Sequence, residues 1–156
     1  ATFTAFISAF VATVAMWWIY FSLSAEKASE VIASSDNRGH LARVVYTYVH
    51  LLLIIAIVLV AVADEFVLAH PLGHTGIGTM VAMIGGTALY LIANILFKRL
   101  VFNSHPRSHY IGLALLTILC VAASHVPPVA VAVATTLILV LVAIQETVVV
   151  MRKNSH

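Results

Sequence analysis

The chain has 156 residues, of which 8 are Lys or Arg and 6 are Asp or Glu, giving a formal net charge of +2. Hydrophobic types make up 62% and charged types 9%, with a mean hydropathy of +1.07, whereas a soluble domain is about half apolar and about a quarter charged. A soluble globular enzyme, a disordered tail and a nucleic-acid binder are thereby excluded, and an integral membrane protein is left.

Charge is absent from residues 1–25, 44–63, 66–97 and 108–145, runs of 25, 20, 32 and 38 residues. About 20 helical residues cross a hydrocarbon core of roughly 30 Å, so the last two runs need subdividing. The turn-forming stretch His70-Pro71-Leu72-Gly73-His74-Thr75-Gly76 divides one, and Pro127-Pro128 divides the other. An all-α bundle of five transmembrane helices is predicted, at about 3–24, 43–65, 77–97, 110–126 and 129–151. A β-barrel needs strands of about ten residues of alternating polarity, which these runs lack.

The N-terminal run has neither the basic flank nor the short apolar core of a secretory leader and reads as a span. Residues 25–33 suit a short interfacial helix, ended by a turn at Asp36-Asn37-Arg38-Gly39. Basic residues alternate between connections. Lys27, Arg38 and Arg43 follow the first span, Lys98, Arg99 and Arg107 the third, and Arg152 and Lys153 the last; the other two connections hold none. The positive-inside rule then places the N-terminus outside and the C-terminus in the cytoplasm. Residues 1–156 read as a single transmembrane domain, expected to form the C-terminal portion of a longer parent chain. Its expected surroundings are the lipid bilayer, other membrane subunits or upstream helices.

Trp17, Trp18, Tyr20 and Phe21 close the first span as an interfacial aromatic belt, with a ligand-stacking platform as the alternative. Polar groups inside spans are costly and need partners. His50 lies about 9 Å, and Glu146 about 8 Å, below the same interface by helical rise. Tyr46 stands one turn from His50, and Tyr90 one turn from Asn94, so Tyr46, His50, Tyr90, Asn94, Gln145 and Glu146 are expected to converge as one polar cluster. It reads either as an interhelical hydrogen-bond clamp or as a proton- or ion-responsive site, with Glu146 as carboxylate and His50 as its titrating partner. Gly78, Ala82 and Gly86 recur every fourth residue and form a small-residue packing row.

At the other end, His70, His74, His125 and Asp64, with Glu65, are weak candidates for a metal ion; Pro71 and Gly73 between the first two histidines argue against a helical ligand pair. His105 and His109 flank Pro106 and Arg107 and read as a solvated loop. No cofactor is expected. His50 and His125 lie at opposite depths and cannot hold a bis-His haem, while a single axial His on a haem or chlorophyll-type pigment stays open as an alternative. Cys120 has no activating partner, and no HExxH, G-x-S-x-G, P-loop or CxxC is present. The chain is therefore expected to be non-enzymatic.

The ending Trp17-Trp18-Ile19-Tyr20-Phe21 resembles the WWxYF signature of the bacterial low-temperature-requirement A (LtrA) family. Tyr48-Val49-His50-Leu51, Ala61-Val62-Ala63-Asp64 through Ala69-His70-Pro71, and Val142-Ala143-Ile144-Gln145-Glu146-Thr147 are similar to that family's following and last helices, with Glu146 at the family's Glu. Ser22 stands where the family pattern has an acidic residue. The resemblance spans nearly the whole chain but only the C-terminal part of a family member. It implies a multi-pass protein of a bacterial inner membrane, with additional upstream spans and no assigned chemistry. The functional expectation is a structural or accessory subunit of a membrane assembly, with an ion-coupled transport component or a pigment-binding subunit as alternatives.

Overall fold

A computed structural model describes residues 1–22 and 25–154. Its helices are α1 (Thr2–Phe21), α2 (Ala25–Ser34), α3 (Arg38–Ala69), α4 (Ile77–Phe102), α5 (Arg107–His125) and α6 (Pro128–Asn154). All but α2 are long and apolar enough to cross a membrane, five in all, at the places expected. Residues 23 and 24, predicted to end the first span, lie outside the described residues.

Several helices outrun the predicted spans. The third runs through Lys98 and Arg99 to Phe102, because a cation need not end a helix when a neighbouring helix supplies its partner. What ends it is Asn103 in the left-handed region (φ 48°), whose amide reaches the Arg99 carbonyl at 3.1 Å. Arg38 and Gly39 start α3 rather than completing a turn, leaving Asp36 and Asn37 as the break.

The two best-buried spans are α4 and α6, with 56% and 50% of their apolar windows enclosed, against 28–33% for the other three, which therefore form the outer helices. Small residues set the contacts. On α1 the buried stripe is Ala5, Ser8, Ala12, Ala15, Met16 and Ile19, facing α6; on α3 it is Leu53, Ala56, Val60, Ala63 and Val67, facing α4. Both follow the three- and four-residue steps of one helical face. Lipid tails are as apolar as leucine, so close van der Waals packing and interhelical hydrogen bonds hold such helices together, not exclusion from water. The large side chains point outward accordingly: Phe3, Phe10, Ile54, Val58 and Ile118 are all exposed.

Polar ties occur along the bundle's length. Ser8 Oγ and Thr136 Oγ1 are 2.8 Å apart between α1 and α6. At one end the Thr75 hydroxyl donates to the Val126 carbonyl (2.7 Å), and the Val129 amide to the Pro71 carbonyl (3.1 Å). At the other end α2 lays Ala28 and Ile32 on Val45 and Val101, forming a second small core with Phe97 and Phe102. All eight Lys and Arg residues belong to segments at this second end, hereafter the basic end.

Two π-helical turns, Val44–Val49 in α3 and Val81–Gly85 in α4, re-phase the faces of those helices. The small-residue row is consequently interrupted. Gly78 lies in open space, Ala82 is buried, and only Gly86 makes the close approach to α3, where a Cβ would stand 3.0 Å from Leu59 Cβ and 3.1 Å from the Val60 amide nitrogen. A second close approach, at Gly112 of α5, lies against Leu91 and Val142, each 2.9 Å from where its Cβ would be.

Candidate functional site: a buried ionic clamp

Glu146 on α6 is buried, and its partners come from α4 and α5. Lys98 Nζ donates to Oε2 at 2.5 Å, and Ser108 Oγ donates to Oε1 at 2.8 Å. His109 completes the group, its Nδ1 3.0 Å from Ser108 Oγ and 3.5 Å from Glu146 Oε1, and its Nε2 3.4 Å from Lys98 Nζ. The left-handed turn at Asn103 and the break at Pro106 reverse the chain between α4 and α5. Ser108 and His109 thereby fall in the first turn of α5, against the last turns of α4.

Donor arithmetic assigns the proton on the imidazole. The Ser108 hydroxyl spends its one hydrogen on Glu146, so Ser108 Oγ must accept from Nδ1–H of His109; Nε2 then carries the lone pair that faces the Lys98 ammonium. Every group in the cluster is engaged. Among the described residues no buried side-chain nitrogen or oxygen lacks a hydrogen-bond partner. With both ring nitrogens occupied, His109 has no lone pair to offer a haem iron or other metal.

The predicted cluster divides. Tyr90 and Asn94 are buried as a pair: Tyr90 Oη donates to the Met16 carbonyl at 2.5 Å, tying α4 to α1, and Asn94 Nδ2 donates to the Tyr90 carbonyl at 2.9 Å. The expected His50–Glu146 pair does not form. Val45 and Val49 occupy the buried face of the π turn, and Tyr46 and His50, each one residue later and turned off that face, are exposed. His50 instead sits near Tyr20, ring centres 6.3 Å apart. Gln145 is exposed for the same reason of phase beside Glu146.

Lys98 and His109 are the residues that the sequence reading misplaced, the one as an orienting loop charge and the other as part of a solvated loop. They are 2% and 0% exposed. A usable signal was present, since Tyr90, Asn94 and Lys98 continue one row at four-residue spacing. A lone intramembrane carboxylate also demands a cation on a neighbouring helix at its own depth.

Trp17, Trp18 and Phe21 form an exposed aromatic group at the end of α1, Trp17 lying 5.4 Å from Phe21 and Tyr20 lying 4.9 Å from it between ring centres. Trp18 Nε1 donates to Thr147 Oγ1 on α6 at 2.8 Å. At the opposite end His70, His74 and His125 are exposed, and His125 Nδ1 is engaged with Ser124 Oγ at 3.0 Å. Among the described residues no three His, Cys, Asp or Glu side chains come close enough to share a metal ion, so these histidines and Asp64 are not brought together.

Residues 1–144 match the family described as bacterial low temperature requirement A protein (LtrA). The chain belongs to the LtrA family. A curated relative is uncharacterized protein RA0937 of Rhizobium meliloti (strain 1021), 33% identical over 139 residues, which are 89% of this chain and 34% of the relative. The chain thus spans about a third of the length of that relative. No solved structure matches. The LtrA match reaches Ile144 and covers Lys98, Ser108 and His109, while Glu146 lies two residues beyond it.

Proposed function

We propose that this LtrA-family chain is a non-enzymatic helical module of a bacterial inner-membrane assembly, in which the Lys98–Glu146–Ser108–His109 cluster clamps α4, α5 and α6 and conducts nothing. One observation carries the reading: the cluster closes on itself, each of its buried polar atoms having a partner within it. A membrane-embedded charge is costly and persists where a partner or a function requires it. Here the partner accounts for each charge. The relative, of which this chain corresponds to about a third, supports further helices of a longer parent chain as part of this chain's surroundings.

The confinement of all eight Lys and Arg to one end supports an orientation with that end in the cytoplasm. The reading is tested by mild-detergent extraction of the membrane-expressed chain followed by native mass spectrometry and crosslinking. Recovery in a complex heavier than the 16.8 kDa chain is expected. A chain recovered only as a monomer contradicts the assembly reading. Ion-coupled transport is the alternative, favoured by the contact of two titratable side chains, Lys98 and His109, with Glu146; it predicts flux that depends on that carboxylate.

A further inference from the structure

The basic end holds a second feature that the clamp does not use. Trp17, Trp18 and Phe21 of α1, with Thr147, Val150 and Met151 of α6, line an open groove of about 250 Å³. Its walls are apolar because the polar edge of the Trp18 indole is turned onto Thr147 Oγ1, which in turn donates to the Ala143 carbonyl at 2.9 Å. Trp17 and Met151 stand 57% and 65% exposed on its rim. In a membrane span such a surface meets lipid, and indole rings favour the headgroup level.

Charge says which lipid. The segments of the basic end carry eight Lys and Arg against the carboxylates Glu26, Glu30, Asp36 and Glu146, a net charge of +4. Glu146 and Lys98 cancel each other within the clamp, so the excess comes from residues outside it. Exposed Arg152 directly follows the groove residue Met151. We propose that this groove is a binding site for an anionic glycerophospholipid, one acyl chain lying between α1 and α6 against the two indoles, and the phosphate drawn to the cationic end. Basic residues at the ends of spans attract anionic headgroups by this electrostatic means.

The sequence contains two tryptophans, and both line the groove, so the protein's own emission reports its occupant. The test reconstitutes the full chain in phosphatidylcholine–phosphatidylglycerol vesicles in which either lipid carries brominated acyl chains, at equal total bromine. Brominated phosphatidylglycerol is expected to quench about twofold more than brominated phosphatidylcholine, and the excess should shrink with added salt and in Arg152→Gln. A reporter at the far end, Ile77→Trp in a Trp17→Phe/Trp18→Phe background, should show no such excess. Equal quenching by the two lipids would reduce the groove to ordinary annular contact, and no quenching by either would mean that protein covers it; both results overturn the proposal.

Discussion

Removing one member of the Lys98–Glu146 pair tests whether the cluster is a clamp. At 2.5 Å and side-chain exposures of 3% and 11% the pair is close and largely dry. An effective dielectric constant of about 20 gives an attraction of about 6–7 kcal/mol. Desolvation costs several kcal/mol for each ion, so the net worth of the intact pair is small. Lys98→Met removes the attraction and leaves the Glu146 desolvation cost standing, which predicts a loss of about 3–5 kcal/mol, and Glu146→Met predicts a similar loss by stranding the ammonium. The double variant Lys98→Met/Glu146→Met carries neither charge and should fall within about 1–2 kcal/mol of the parent, the remainder coming from the Ser108 and His109 bonds. Reversible unfolding in mixed detergent micelles, followed by far-UV circular dichroism, measures all three. A double variant as unstable as the sum of the two single losses would refute the clamp.

Gly86→Ala puts a Cβ 3.1 Å from the Val60 amide nitrogen, a backbone atom that cannot turn aside, and should cost about 1–3 kcal/mol in the same assay, whereas Gly78→Ala should be silent because nothing lies within 4 Å. Tyr90→Phe removes the hydrogen bond to the Met16 carbonyl and should lower stability by about 0.6–1.7 kcal/mol, read as a shift of the unfolding midpoint. His109→Ala should destabilise by about 2 kcal/mol or more, through the hole left in a fully buried site and the stranded Ser108 and Lys98 contacts, while exposed His50→Ala should stay within about 0.5 kcal/mol.

The five spans were legible because charge is excluded from hydrocarbon, and the proline and glycine breaks divided the two overlong runs where the helices do change. Span ends were less legible. By charge alone Lys98 and Arg99 mark the water boundary, but α4 continues to Phe102 with Lys98 turned into the core. The same reasoning hid the partner of Glu146. Lys98 and His109, the two charged or titratable side chains that meet the carboxylate, lie in a stretch whose charge and Pro106 resemble a solvated loop, whereas His50 matches Glu146 in depth but not in phase. Depth along a helix follows from residue counting, but phase around it does not once a π turn intervenes. Val44–Val49 puts Val45 and Val49 inside and leaves Tyr46 and His50 facing out. The interrupted row at Gly78 has the same origin, in the π turn at Val81–Gly85.

The central claim is that the Lys98–Glu146–Ser108–His109 cluster is a closed clamp and not a path. The most direct measurement loads vesicles containing the protein with a pH-sensitive dye, imposes a proton gradient with a matching potassium gradient and valinomycin, and follows its decay beside protein-free vesicles. The clamp predicts the same slow decay with parent protein, with Glu146→Gln and with no protein. A fast collapse with the parent protein that Glu146→Gln abolishes would contradict it.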